Sequence, residues 1–248
     1  MDWKLHPGFE KEAITFVRIH YNGSGRRGGP GHGSDYPGAE NFLSYRLQQL
    51  TSMQMSPHPD LIELTDPKLQ QYPFIFMNDP RALRLSDAEV KALRKYLLNG
   101  GFLMIDDFWG PYMLDHFKQE MQKVLPGVKP QSLPFEHEIF HYVYPLASKP
   151  QIPSDDSAAR NRYDPDPARR SWEDDFSRMQ PMPADYIAYH DEKGRIVILI
   201  CHNTDLSDGW EREDGWADPE MGYWFFTTYS QPLAYPMAIN IFFYALTH

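Results

Sequence analysis

Hydrophobic residues fall into short blocks separated by polar, Pro- and Gly-rich stretches, and their spacing predicts alternating strands and helices in the first half of the chain. Residues 13–21 (AITFVRIHY) form a β-branched and aromatic run of the length and composition of a buried strand. Residues 39–53 place Ala39, Leu43, Leu47 and Leu50 at helical spacing. Short strands are expected at 60–65 and 73–78, each bounded by Pro or Asp. Ser86 and Glu89 form a capping box that opens a helix carrying Val90, Leu93 and Leu97 inward. Gly100 sits where that helix needs a left-handed residue to stop. GFLMID (101–106) is the clearest buried strand, and Pro111 suits the first turn of a helix with Met113, Phe117, Met121 and Val124 facing in. This order implies a mostly parallel sheet covered by helices.

The rest of the chain is less regular. A Gly-rich loop at 22–38 carries Arg26, Arg27, His32 and Asp35, and reads as a surface loop able to cradle an anion on its amides. It matches neither phosphate-binding glycine motif. Residues 148–183 are acidic, Pro-rich and poor in aliphatics, and read as a polar surface insertion. A β-hairpin is expected around Asp191–Gly194, with its second strand at 195–201. An aromatic loop at 203–233 then precedes a helix at 235–246, and residues 1–248 read as a single domain.

Composition sharpens this picture. The chain has 248 residues, 22 Pro, 36 aromatics (15 Phe, 15 Tyr, 6 Trp) and a formal charge of 24 − 34 = −10. That balance argues against nucleic-acid partners, which select clustered Lys and Arg. No apolar run approaches the length of a membrane span, so no membrane insertion is expected, and no signal peptide is seen in the chain. The one cysteine, Cys201, excludes an internal disulfide and any multi-cysteine zinc site, and suits a buried, inert position.

Candidate chemistry gathers at the ends of the predicted strands, where open α/β sheets bind ligands. Asp106 and Asp107 follow the strongest strand. They read either as cap and turn residues or as a carboxylate that acts as base or holds a cation. His202 with Asp205 has the makings of a general base and its orienting acid. Tyr21, Asn22, Trp109, His141, Asn203 and Glu211 complete the candidate ligand-binding set. Residues 137–141 read H-E-I-F-H, a literal zinc-protease string. Pro134 and Pro145 flank it closely, which favours extended or turn structure, and no metal-ligating set is assigned. Trp210, Trp216, Tyr223, Trp224 and Phe225 could form a partner surface, a carbohydrate platform or a lid.

The strings FVRIHY, RLQQLT, LSDAEVKALRKYLLNGGFLMIDDFWG, EIFH, CHNTDLSDGWERE and YPMAINIFFYALTH resemble the bacterial family called domain of unknown function 4159 (DUF4159). The resemblance covers about residues 3–248, including Asp106, Asp107, Trp109, His141, His202, Asn203, Asp205 and Glu211. It implies kinship with the class I glutamine amidotransferase-like superfamily, a flavodoxin-like three-layer α/β sandwich and a place in the cell envelope or periplasm. The family commonly has Pro where this chain has Glu138, so the zinc-like string is an accident of that substitution. An amidotransferase needs Cys at the elbow where this chain has Asp106-Asp107, so glutamine hydrolysis through a thioester is not expected. Whether the chain is an enzyme at all stays open. The leading expectation is a non-amidotransferase pocket protein for a small polar, sugar-like ligand at the strand ends. The alternatives are a hydrolase using His202 with Asp106 or Asp107 and a water or cation, and an assembly module that captures an envelope protein. No cofactor is specified.

Overall fold

In a computed structural model, residues 3–9, 12–23, 36–173, 179–211 and 218–248 are described. The fold is mixed α/β. Among the described residues seven strands form one sheet: β1 (Val17–His20), β2 (Asp60–Glu63), β3 (Phe74–Asn78), β4 (Phe102–Phe108), β5 (Gln131–Ser132), β6 (Asp185–His190) and β7 (Ile196–His202). Their order is β2-β1-β3-β4-β7-β6-β5. The run β2-β1-β3-β4-β7 is parallel, while β6 and β5 extend the sheet antiparallel. Consequently β1, β3, β4 and β7 all point their C-terminal ends the same way.

The predicted helices form where expected: α1 (Gly38–Leu50), α2 (Asp87–Leu98) and α3 (Gly110–Val124). Both arms of the Ser86–Glu89 capping box are present, and Gly100 takes φ 105° beyond α2. Strand alternation divides the core in two. Phe102 and Met104 of β4 join Leu43 and Leu47 of α1 and Phe242 of the last helix, whereas Leu103 and Ile105 join Leu93 of α2 and Phe117 of α3. The hairpin between β6 and β7 turns through Gly194 at φ 83°, and Asp191 Oδ1 accepts from the amides of Lys193 and Arg195.

Two expectations need correction. The segment 148–183 is no merely solvated insertion. It contains α4 (Asp155–Asn161) and α5 (Pro167–Arg170), and Ile152, Ser157, Trp172 and Glu173 are buried. Nor is 203–233 simply a loop. Its described part holds α6 (Asp208–Glu211), α7 (Pro219–Phe225) and a π-helical stretch, Phe226–Ala234, that runs into α8 (Tyr235–Thr247). Pro232 lacks an amide proton, which is incompatible with regular α-helical bonding at that turn. Trp210, read from sequence as part of a partner surface, a carbohydrate platform or a lid, is 1% exposed and belongs to the core, while Trp216 lies outside the described residues. The H-E-I-F-H string forms a 3-10 turn, Glu138–Phe140, in place of a zinc-protease helix. No described helix is long and apolar enough to cross a membrane.

Candidate functional site

Three neighbouring strands finish in the same unusual way. Asp79 just after β3, Asp107 in β4 and Asn203 just after β7 have φ of 47°, 56° and 58°. The left-handed region is uncommon for residues other than Gly, and Asp and Asn tolerate it best. At Asp107 it coincides with a register shift against β7 between Ile105 and Phe108. The bend separates the surroundings of the two consecutive carboxylates.

Asp106 is fully buried, and its Oδ2 accepts from the Ser207 amide at 2.8 Å. Among the described residues no hydrogen bond reaches its Oδ1. Burial pushes its carboxyl up to about 7, against the opposing pull of the Ser207, Leu206 and Asp107 amides. Its charge also raises the Tyr186 hydroxyl and the Cys201 thiol, after burial itself, so Asp106 faces the α1 and α8 side. Asp107 instead acts on Tyr21, whose hydroxyl is driven up by burial and then by Asp79 and Asp107. That hydroxyl donates to the Asp79 carbonyl and lies 3.1 Å from that of Asn78, which locks Tyr21 into the wall beneath the strand ends.

The most informative convergence joins Asp107 to Asp205 and to Glu173. One carboxylate oxygen from each lies within 4.8 Å of the others, and all three residues are buried. They come from β4, from the loop after β7 and from the segment that follows α5. Glu173 Oε2 accepts from the Ser154 amide at 3.0 Å, and the Asp205 amide bonds the Ile152 carbonyl at 2.9 Å, so the segment 148–173 is fastened to the strand ends. Asp205 Oδ1 accepts from Ser207 Oγ and from the Asp208 amide, each at 2.9 Å. Glu173 was missed because its surroundings in sequence are acidic. The available signal was Trp172, a large aromatic in a stretch with few apolar residues, which is 2% exposed and meets Trp109 edge-on at 5.2 Å.

His202 and Asn203 have a different task. His202 Nε2 lies 2.9 Å from the Gly110 carbonyl, and the Gly110 amide donates to Asn203 Oδ1 at 2.8 Å. Asn203 Nδ2 reaches the Pro183 carbonyl at 3.1 Å. Together the two side chains clamp the start of α3 to the end of β7. Burial holds the His202 ring below the ordinary histidine range, and the carboxylates acting most on it are Asp185 and Asp115. Its hydrogen bond is thus made to a backbone carbonyl, where a general base would face an orienting acid. Asn203→Ala is expected to cost about 2–3 kcal/mol, from a left-handed residue without Asn's tolerance and an orphaned Gly110 amide. Asn203→Gly should recover only the backbone part; urea denaturation of both variants checks this.

The remaining candidates scatter. Asn22 is exposed, while Trp109 is buried against Trp172. His141 is exposed and bonds the Phe135 carbonyl at 3.0 Å. Glu211 is buried beside the start of α1, where a Cβ on Gly38 would come within 3.2 Å of the Glu211 carbonyl oxygen. Its charge adds to the burial that raises Glu40. Arg26, Arg27, His32 and Asp35 of the Gly-rich loop lie outside the described residues.

The family model for Domain of unknown function (DUF4159) matches residues 15–246, a span that contains all seven described strands and the three clustered carboxylates. The chain belongs to the DUF4159 family. No curated protein matches it. Family membership therefore leaves the chemistry of this DUF4159 chain to its own side chains. The only thiol, Cys201, lies inside β7, is fully buried and is held well above its ordinary range by burial and then Asp106. A thiol so placed is not an available nucleophile.

Proposed function

We propose that this DUF4159 protein is a non-amidotransferase pocket protein. It binds a small polar ligand outside the C-terminal ends of β4 and β7, with Asp107, Glu173 and Asp205 as the acceptors. The observation that carries this reading is the convergence of those three buried carboxylates from three separate segments. Three buried carboxylate oxygens within 4.8 Å of one another suit an occupant that brings positive charge or several hydrogen-bond donors. Sugar hydroxyls meet the second condition. A hard divalent cation meets the first, since an all-oxygen set suits Mg²⁺, Ca²⁺ or Mn²⁺ over softer metals.

The left-handed backbone at Asp107, near the C-terminal end of β4 and shortly before α3, supports kinship with the amidotransferase-like superfamily, where an elbow carries the nucleophile. The parallel order β2-β1-β3-β4-β7 supports the flavodoxin-like three-layer reading. A place in the cell envelope follows from the family resemblance alone. The His202 geometry gives the hydrolase reading no comparable support.

Mn²⁺ is the direct probe, because free Mn²⁺ is counted by electron paramagnetic resonance. The wild type is expected to bind one Mn²⁺, and Asp107→Asn to weaken that binding at least tenfold. A parallel thermal-shift panel of monosaccharides, amines and divalent cations reads the donor-rich alternatives. A wild type that binds no Mn²⁺ and shifts with no panel member overturns the proposal.

A further inference from the structure

Ser207 was not among the residues singled out from the sequence, yet it reaches Asp106, Asp205 and Asn78 at the strand ends. It is fully buried, in the turn that leads into α6. Its amide donates to Asp106 Oδ2 at 2.8 Å, which ties the turn to the end of β4. Its hydroxyl lies 2.9 Å from Asp205 Oδ1 and 3.4 Å from Asn78 Oδ1. A hydroxyl has a single proton to give. Of these two acceptors the Asp205 carboxylate is the nearer and the stronger, and the hydroxyl also helps lower the neighbouring Asp106 carboxyl.

We infer that Ser207 is a positioning residue for the carboxylate site, orienting Asp205 toward Asp107 and Glu173. The inference rests on the proposed ligand site and adds the means by which it is assembled. Asp205 lies two residues after the left-handed Asn203, between the end of β7 and the turn into α6, where backbone geometry alone leaves its side chain several staggered orientations. The Ser207 hydroxyl and the Asp208 amide converge on the same oxygen, Oδ1, and together select one orientation. Asp208 is anchored in turn, since its Oδ2 accepts from the Asp155 amide at 2.9 Å. The Ser207 amide fixes that turn against Asp106. One serine thus links the β4 carboxylate facing α1 and α8 to the cluster built around its neighbour Asp107.

Ser207→Ala removes the hydroxyl bond but keeps the amide bond to Asp106. Ser207→Cys keeps a near-isosteric side chain with a much weaker donor, and so guards against misfolding of the alanine variant. Mn²⁺ affinity of the whole chain is the readout, with urea midpoints confirming that each variant is folded. Loss of an outer-shell hydrogen bond to a ligating carboxylate is expected to weaken Mn²⁺ binding by about tenfold. The expected order is wild type, then Ser207→Cys, then Ser207→Ala. If the wild type binds Mn²⁺ and a folded Ser207 variant binds it equally well, the positioning role is overturned while the site stands. If the wild type binds no Mn²⁺, the cation site itself fails and the inference falls with it.

Discussion

Glu40→Ala is expected to destabilise the protein by about 3–5 kcal/mol, the cost of breaking a buried ion pair from one side. Glu40 lies in the first turn of α1 and Arg18 lies in β1, and both side chains are fully buried in contact with each other. The Arg18 guanidinium also sits over the rings of Tyr36 and Phe76, 5.6 and 5.2 Å from their centres. Burial pushes the Glu40 carboxyl up while Arg18 pulls it down, so much of the Coulomb attraction is spent against desolvation. The pair is therefore weak evidence for net stability, yet removing one partner leaves a buried cation without this carboxylate. The double variant Arg18→Met/Glu40→Leu removes both charges with similar volume and should recover most of the loss. Urea midpoints of the single and double variants decide it. A double variant as unstable as Glu40→Ala would show that the lost volume and shape, and not the stranded charge, account for the cost.

The same pair shows which parts of the architecture the sequence makes legible. The run FVRIHY reads correctly as a strand because its apolar residues outnumber one arginine, but nothing in it announces that Arg18 is buried. Burial of a charge depends on a partner twenty-two positions away, and no local pattern encodes such a distance. The capping box at Ser86–Glu89 and the turn at Asp191–Gly194 are legible for the opposite reason, since their hydrogen bonds close within four residues. Asp107 and Asp205 could be picked as strand-end carboxylates by the topology of parallel sheets. Glu173 could not, because its approach to them follows from the folding-back of the segment 148–173 through Ser154 and Ile152. His202 illustrates the converse. Its neighbour in sequence, Asp205, suggests an orienting acid, but strand geometry aims the ring at the Gly110 carbonyl.

Asp106→Asn is expected to change how stability varies with pH, by up to about 4 kcal/mol between acid and neutral conditions. The carboxyl has an ordinary value of 3.8 in the unfolded chain and is pushed up to about 7 in the folded one. Between those values the folded state holds a proton that the unfolded state has lost. Stability from this group is therefore complete below about pH 4 and declines as pH rises toward 7. A difference of roughly three units corresponds to about 4 kcal/mol over that window. Asparagine keeps an oxygen for the Ser207 amide and carries no charge, so it should flatten the decline while leaving stability at acid pH similar. His202 works in the other direction: its folded value lies below the usual 6.5, so its contribution is lost as pH falls beneath that value. Its presence in both proteins cancels when the two profiles are subtracted. Urea midpoints from about pH 3.5 to 8 without added metal supply those profiles. Parallel profiles would mean that Asp106 is compensated in the folded protein at neutral pH, and that its buried carboxyl carries no electrostatic penalty.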